Sequence, residues 1–125
     1  MVVLGVTGKT FAPAPGDAVG PLAALLIEII FTFALALVVL NVATSSKTQG
    51  NSYYGLAIGM TVTVAAFAGG GISGGAFNPA VGTGSIIVNA MKGGGSFANL
   101  WIYLVGPFLG GALASVMFKI QEDGA

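Results

Sequence analysis

The chain has 125 residues, of which 55% are hydrophobic and only 6% are charged, and its formal net charge is zero. Soluble domains carry about a quarter charged residues, so we expect an integral, multi-pass membrane protein whose solvent is the lipid bilayer. The basic residues are scattered lysines, which excludes a nucleic-acid footprint, and the absence of cysteine and histidine excludes disulfides, zinc sites and histidine-based catalytic centres.

Residues 1–20 are predicted to form an extended loop ahead of the first membrane span. A disordered amino-terminal tail is the alternative interpretation. The second half of this segment is rich in residues that favour turns, namely Pro13, Pro15, Gly16, Asp17 and Gly20.

The first membrane span is predicted over residues 21–43. The apolar run from Leu22 to Val42 is about 20 residues long, which is enough to cross a hydrocarbon core. Its one charged residue is Glu28. An ionisable side chain within a span usually faces the interior of the helix bundle and has a partner there. A position near the membrane surface, with the carboxyl group reaching water, is the alternative.

The second span is predicted over residues 53–69. Tyr53 and Tyr54 at its start suit the aromatic belt of a membrane interface. Gly55 and Gly59 lie one helical turn apart, which predicts a small-residue face for close contact with another helix.

A glycine-rich stretch follows the second span. The glycines of residues 69–75 predict extended rather than helical backbone. Asn78 is predicted to cap a helix that begins at Pro79 and ends near Met91. At 1.5 Å per residue this helix is roughly 18 Å long, about half of a hydrocarbon core. Its amino terminus is therefore expected near mid-membrane, facing a cavity on a substrate path.

The last span is predicted over residues 98–120. Trp101 and Tyr103 are expected to mark the membrane interface. Gly106 and Gly110 repeat the small-residue spacing and predict a second close helix contact.

Residues 73–80, Ser-Gly-Gly-Ala-Phe-Asn-Pro-Ala, resemble the Asn-Pro-Ala box of the aquaporin, or major intrinsic protein, family. Residues 55–66 resemble the fifth span of that family, and residues 103–111 resemble the sixth. The resemblance implies an all-α membrane fold corresponding to the second half of the family fold. This half has three transmembrane helices plus one re-entrant half-helix over residues 21–120, and residues 121–125 form a polar tail.

The resemblance also implies a function. The chain would be a channel and not an enzyme, would need no cofactor or metal, and would pass water and/or small neutral solutes such as glycerol. Asn78, Pro79 and Ala80 would line the pore, and Glu28 would support the re-entrant loop by accepting its backbone N–H groups. The selectivity filter implied by the resemblance consists of Ala66, Gly75, Ala76 and Val81.

Two filter positions depart from the family pattern. Most members carry arginine directly after the second box, where this chain has Val81, and water-selective members often carry histidine where it has Ala66. Glycerol-conducting members usually follow the box with Arg-Asp, whereas the pair here is Val81-Gly82. We expect a wider, more apolar filter that admits small neutral solutes as well as water.

The partners implied by the resemblance are a second aquaporin-like repeat, from another copy or another chain, and a homo-oligomer that would be a tetramer. A non-conducting membrane interaction module, or a truncated and inactive channel fragment, is the alternative function. An ion-coupled transporter is a third class, in which Glu28 would bind the coupling proton. The lysines are balanced between the two expected sides, so charge does not predict the orientation, and the sequence does not indicate which membrane.

Overall fold

The computed structural model describes residues 2–123, and within them every regular element is helical. The prediction of an all-α fold is confirmed. The helices are α1 (Val2–Thr7), α2 (Pro21–Val39), α3 (Tyr54–Ser73), α4 (Pro79–Met91) and α5 (Leu100–Asp123). A π-helical turn (Leu40–Thr44) extends α2, and a 3₁₀ turn (Ser46–Thr48) follows it.

Three of these helices are long and apolar enough to cross a membrane, which confirms the predicted number of spans. They are α2 with its π-helical turn (Pro21–Thr44), α3 and α5. Helix α4 has 13 residues and is roughly 20 Å long, too short to cross a hydrocarbon core of about 30 Å. It begins at Pro79 and ends at Met91, the predicted bounds.

The extended loop predicted for residues 1–20 is wrong for residues 2–7, which form α1. This segment lies ahead of the first proline of the chain, and the Thr7 hydroxyl donates a hydrogen bond to the Val3 carbonyl within the helix. Gly8 ends α1 in the left-handed conformation, with φ of 68°. The turn-forming residues act only further along the chain, where residues 9–16 are irregular.

The second span does not end at residue 69, because α3 continues through the first glycines to Ser73. Glycine inside a helix costs about 1 kcal/mol relative to alanine, and packing can offset that cost. Gly69 is buried, and a Cβ built on it would lie 2.8 Å from the Ile27 side chain of α2. Gly74, with φ of 84°, ends the helix, and its N–H donates to the Gly70 carbonyl.

The polar tail predicted for residues 121–125 is helical as far as Asp123, and its last two residues lie outside the described residues. Polar contacts hold this last turn. Gln121 accepts a hydrogen bond from Asn41, and Glu122 accepts one of 2.7 Å from Ser45 and lies 3.9 Å from the Lys47 ammonium.

Helix α2 is the centre of the bundle, because it packs against both α5 and α3, and α4 in turn packs against α5. Gly106 and Gly110 face α2, as their spacing predicted. A Cβ on Gly110 would lie 2.5 Å from the Ile29 carbonyl oxygen, so glycine lets the two backbones meet. In contrast, a Cβ built on Gly55 or Gly59 would meet no atom of a neighbouring element within 4 Å among the described residues, so the predicted small-residue face of α3 has no partner helix there.

We predict that Gly110→Ala destabilises the fold, because the added methyl group overlaps the α2 backbone. Overpacking of this kind typically costs about 1–3 kcal/mol. Gly111→Ala is the matched control, since a Cβ there meets no atom within 4 Å. Thermal unfolding in detergent should show a lower melting temperature for Gly110→Ala only. Equal melting temperatures for the two variants would contradict the close approach of α2 and α5.

Candidate functional site

Glu28 lies at the centre of the candidate site and is completely buried. Its position on α2 turns its side chain toward α5, where Gly106 supplies no side chain of its own. A Cβ on Gly106 would lie 2.7 Å from the Glu28 Cβ, so this glycine makes room for the glutamate. The burial excludes the alternative in which the carboxyl group reaches water at the membrane surface.

Both carboxyl oxygens of Glu28 accept hydrogen bonds from the irregular segment between α3 and α4. Oε1 accepts from Ser73 Oγ at 2.8 Å and from the Ala76 N–H at 3.0 Å. Oε2 accepts from the Phe77 N–H at 2.6 Å. An unpaired N–H buried at membrane depth is costly, and Glu28 removes that cost for two successive residues.

Ser73 and Tyr103 complete the support of this segment. Ser73 Oγ accepts a hydrogen bond of 3.2 Å from the Gly75 N–H, and the Tyr103 hydroxyl donates to the Ser73 carbonyl. The prediction that Tyr103 marks the membrane interface is wrong, because this residue is completely buried. Its hydroxyl finds an interior acceptor, which lets the amphipathic ring sit inside the bundle.

The sequence indicates the supporting role of Ser73 better than that of Tyr103. Ser73 is the polar residue at the point where α3 meets the glycine-rich stretch, so a bonding role could have been inferred. Nothing in the sequence separates a buried tyrosine from an interfacial one.

Phe77 carries backbone strain directly before the Asn-Pro-Ala box. Its φ is 48°, in the left-handed region that non-glycine residues seldom occupy. Its ring is buried and packs edge-on against Phe31, with the ring centroids 5.5 Å apart. This packing and the hydrogen bond to Glu28 hold the strained conformation, which turns the chain into α4.

Asn78, Pro79 and Ala80 form the first turn of α4 and its cap. Asn78 is extended, and its Oδ1 accepts the Ala80 N–H at 2.9 Å. Pro79 occupies the first helical position, where its missing N–H costs nothing. The Asn78 and Ala80 side chains are exposed, so the amino terminus of α4 opens onto the surface of the chain.

A cleft of about 420 Å³ lies beside this amino terminus. Helices α2 and α5 form its walls, and the box forms its end. Its lining includes Thr32, Ala36, Phe77, Asn78, Pro79 and Ser115.

The four residues predicted to form a selectivity filter occupy different environments. Val81 is 54% exposed, on the first turn of α4. Ala76 is buried in the core with Tyr103, so only its backbone can line a path. Gly75 packs on α3, where a Cβ would lie 3.3 Å from Gly70 Cα. Ala66 is exposed one helical turn before Gly70. The structure therefore brings residues 75, 76 and 81 to one end of α4 and leaves Ala66 on a separate helix.

Acidic side chains do not gather at this site. In the part of the chain that the structure describes, no group of three metal-ligating side chains comes together. The contacts of Glu28 are with hydrogen-bond donors of the protein itself, which is the pattern of a structural support.

Comparison with known proteins relates this arrangement to one family. The family model of the major intrinsic proteins matches residues 1–118. A probable aquaporin NIP4-2 of Arabidopsis thaliana is 40% identical over 110 residues, which cover 87% of this chain and 36% of that protein. A probable aquaporin TIP3-2 of the same plant is 41% identical over 102 residues, covering 81% of this chain and 36% of the relative. The chain thus spans about a third of the length of these relatives.

We predict that Glu28→Leu destabilises the fold strongly, because the Ala76 and Phe77 N–H groups lose their acceptor and Ser73 loses the shorter of its two hydrogen bonds. Each donor left unpaired in the interior costs about 1–3 kcal/mol. Glu28→Gln is the matched control, since its amide oxygen still accepts and only one acceptor is lost. Thermal unfolding in detergent should rank the parent above the glutamine variant and the glutamine variant above the leucine variant. A leucine variant as stable as the parent would show that these hydrogen bonds contribute nothing.

Proposed function

This chain belongs to the major intrinsic protein family, and we propose that it forms one half of a channel for water, small neutral solutes such as glycerol, or both. The family consists of membrane channels and not enzymes. In keeping with this, the chain is an integral, multi-pass membrane protein with three helices able to span the bilayer.

The observation that carries the proposal is the exposed amino terminus of α4. Asn78 Oδ1 caps the helix, which leaves the amide Nδ2 group available as a donor to a solute oxygen. The helix dipole places partial positive charge at the same point. A neutral molecule with a lone pair is bound and oriented there, whereas cations and protons are opposed.

The length of α4 supports a re-entrant path. A helix of roughly 20 Å that begins near mid-membrane returns to the side from which its connecting segment entered. Irregular backbone at that depth requires internal partners, and Glu28 supplies them to the segment between α3 and α4.

A second repeat is required to enclose the path. Asn78 is exposed on the single chain, and its polar amide cannot face lipid tails without cost. The cleft beside Asn78 offers space for the facing box of a partner. The second repeat is supplied by another copy of this chain or by another chain, and the paired unit assembles into a tetramer.

Val81 and Ala66 favour neutral solutes beyond water in this proposal. Neither side chain carries a charge or a hydrogen-bond donor, and both are exposed on the described chain. A wider apolar lining offsets part of the desolvation cost of a polyol through contact with its carbon skeleton. Pro79, Gly75 and the Ala76 backbone complete the lining beside them.

One observation favours the alternative, a non-conducting membrane interaction module. Gly55 and Gly59 on α3 leave open space around their backbones. Such a face suits close contact with another helix, whether or not a pore results. Flux measurements separate the two functions.

The re-entrant topology predicts which side of the membrane labels three single cysteines. The chain has no native cysteine, so Asp17→Cys, Ser46→Cys and Ser96→Cys each create a unique thiol. If α4 returns to its side of entry, an impermeant maleimide added on one side of the membrane labels residues 17 and 96 alike. Residue 46 is then labelled only by maleimide added on the opposite side. Labelling of residue 96 together with residue 46 would mean that α4 crosses the membrane.

The flux prediction uses stopped-flow measurements on vesicles that carry the purified chain. Water permeability should rise with about the second power of protein density if two copies pair. Val81→Arg should lower glycerol flux more than water flux. A glycerol barrier raised by about 1.4 kcal/mol relative to that of water would lower the ratio of glycerol flux to water flux roughly tenfold. Val81→Gln is the control that adds bulk without charge.

Two outcomes would contradict the proposal. Absence of water flux at every density, alone and with a first repeat supplied, would favour the non-conducting module. Equal losses of water and glycerol flux in Val81→Arg would mean that Val81 does not set the filter.

A further inference from the structure

A second cleft, of about 220 Å³, lies between the segment before α2 and the later turns of α4. One wall is formed by Lys9, Thr10 and Phe11, and the facing wall by Gly84, Ser85 and Val88. The sequence motifs did not point to this cleft, and the box residues do not form it.

Hydrogen bonds fix the first wall to α4. Thr10 Oγ1 donates to Asn89 Oδ1 at 2.6 Å, and Asn89 Nδ2 donates to the Gly94 carbonyl at 3.1 Å. The Lys9 N–H donates to Thr7 Oγ1 at 3.2 Å. Lys9 is therefore held between α1 and the anchored Thr10, beside α4.

The cleft continues the surface that begins at Asn78. Val81, Ser85 and Val88 follow each other at intervals of four and three residues, so they lie on one face of α4. Val81 is exposed and Ser85 is half-buried. A solute that leaves Asn78 along this face passes Val81 and then Ser85, opposite Lys9.

Lys9 alone carries a charge among the described residues that line this cleft. In contrast, Lys47 pairs with Glu122 in the loop that follows α2. Most of the other lining groups are apolar, and low-dielectric walls concentrate the field of a charge within a cleft.

We propose that Lys9 is a specificity-determining residue that makes this cleft electropositive and thereby discriminates against cations along the α4 face. The discrimination against cations rests on the proposed channel function, whereas the electrostatic potential of the cleft can be measured without a flux assay. The solutes favoured are neutral molecules whose oxygen atoms accept hydrogen bonds.

The potential is tested with a thiol at the cleft. Ser85→Cys gives the cysteine-free chain a single thiol in the cleft that Lys9 also lines. The measured quantity is the ratio of its modification rates by an anionic and a cationic methanethiosulfonate of similar size. Adding Lys9→Gln should lower this ratio roughly fivefold, as expected for loss of a unit charge from the lining of the same partly screened cleft. Adding Lys9→Arg should preserve it.

Ser52→Cys is the control, because it lies in the loop between α2 and α3 and does not line this cleft. Lys9→Gln should leave its rate ratio unchanged. An unchanged ratio at residue 85, with labelling intact, would overturn the inference.

Flux in vesicles separates this inference from the proposed function. Sodium leak divided by water flux should rise in Lys9→Gln and stay at the parental value in Lys9→Arg. Absence of water flux in the parent, both alone and with a first repeat supplied, would refute the channel, while the rate ratio at residue 85 still decides the charge of the cleft. Water flux in the parent, with neither the leak nor the rate ratio changed by Lys9→Gln, would refute the role of Lys9 alone.

Discussion

The structure depends on pairing the backbone N–H groups of an irregular segment that is buried against the helices. The chain leaves helical geometry between α3 and α4, and each N–H left unpaired in the interior would cost about 1–3 kcal/mol. Glu28 meets this constraint with one side chain, because its two oxygens accept from Ser73, Ala76 and Phe77. The same anchorage helps to hold the strained turn at Phe77, which leads directly into the cap at Asn78 and the start of α4.

The anchorage in turn requires helices that approach closely. Apolar burial gives little drive to helix association in lipid, so packing contacts and hydrogen bonds must supply it. Gly106 lets Glu28 sit between α2 and α5, and Gly110 brings the backbones together one turn further on. A larger residue at either position would separate the helices and move Glu28 away from its donors. The small-residue spacing of α5 is thus coupled to the geometry of a segment far from it in sequence.

The sequence predicted the spans, the bounds of α4 and the contact at Gly106 and Gly110, because these follow from hydropathy, capping chemistry and residue size. It failed where tertiary contacts override local preference. The glycines after residue 68 favour extended backbone, yet α3 continues to Ser73 because Gly69 packs against Ile27. The position of Tyr103 in the sequence is equally typical of a membrane interface. The tertiary hydrogen bond from its hydroxyl to the Ser73 carbonyl is what identifies it as an interior residue. Lys9 could not be related to α4, since the Thr10–Asn89 hydrogen bond that brings its segment beside α4 joins distant parts of the chain.

The same hydrogen bonds that identify Glu28 as a support argue against an ion-coupled transporter. A coupling site needs a carboxyl group that a proton or cation can reach and leave during each cycle. Glu28 is completely buried, and both of its oxygens are engaged by donors of the protein. Protonating it would weaken the bonds that shape the turn into α4, so each transport cycle would disturb the path itself. In the proposed channel, the fixed polarity beside the path would come instead from Asn78, the amino terminus of α4 and Lys9, a combination suited to neutral solutes.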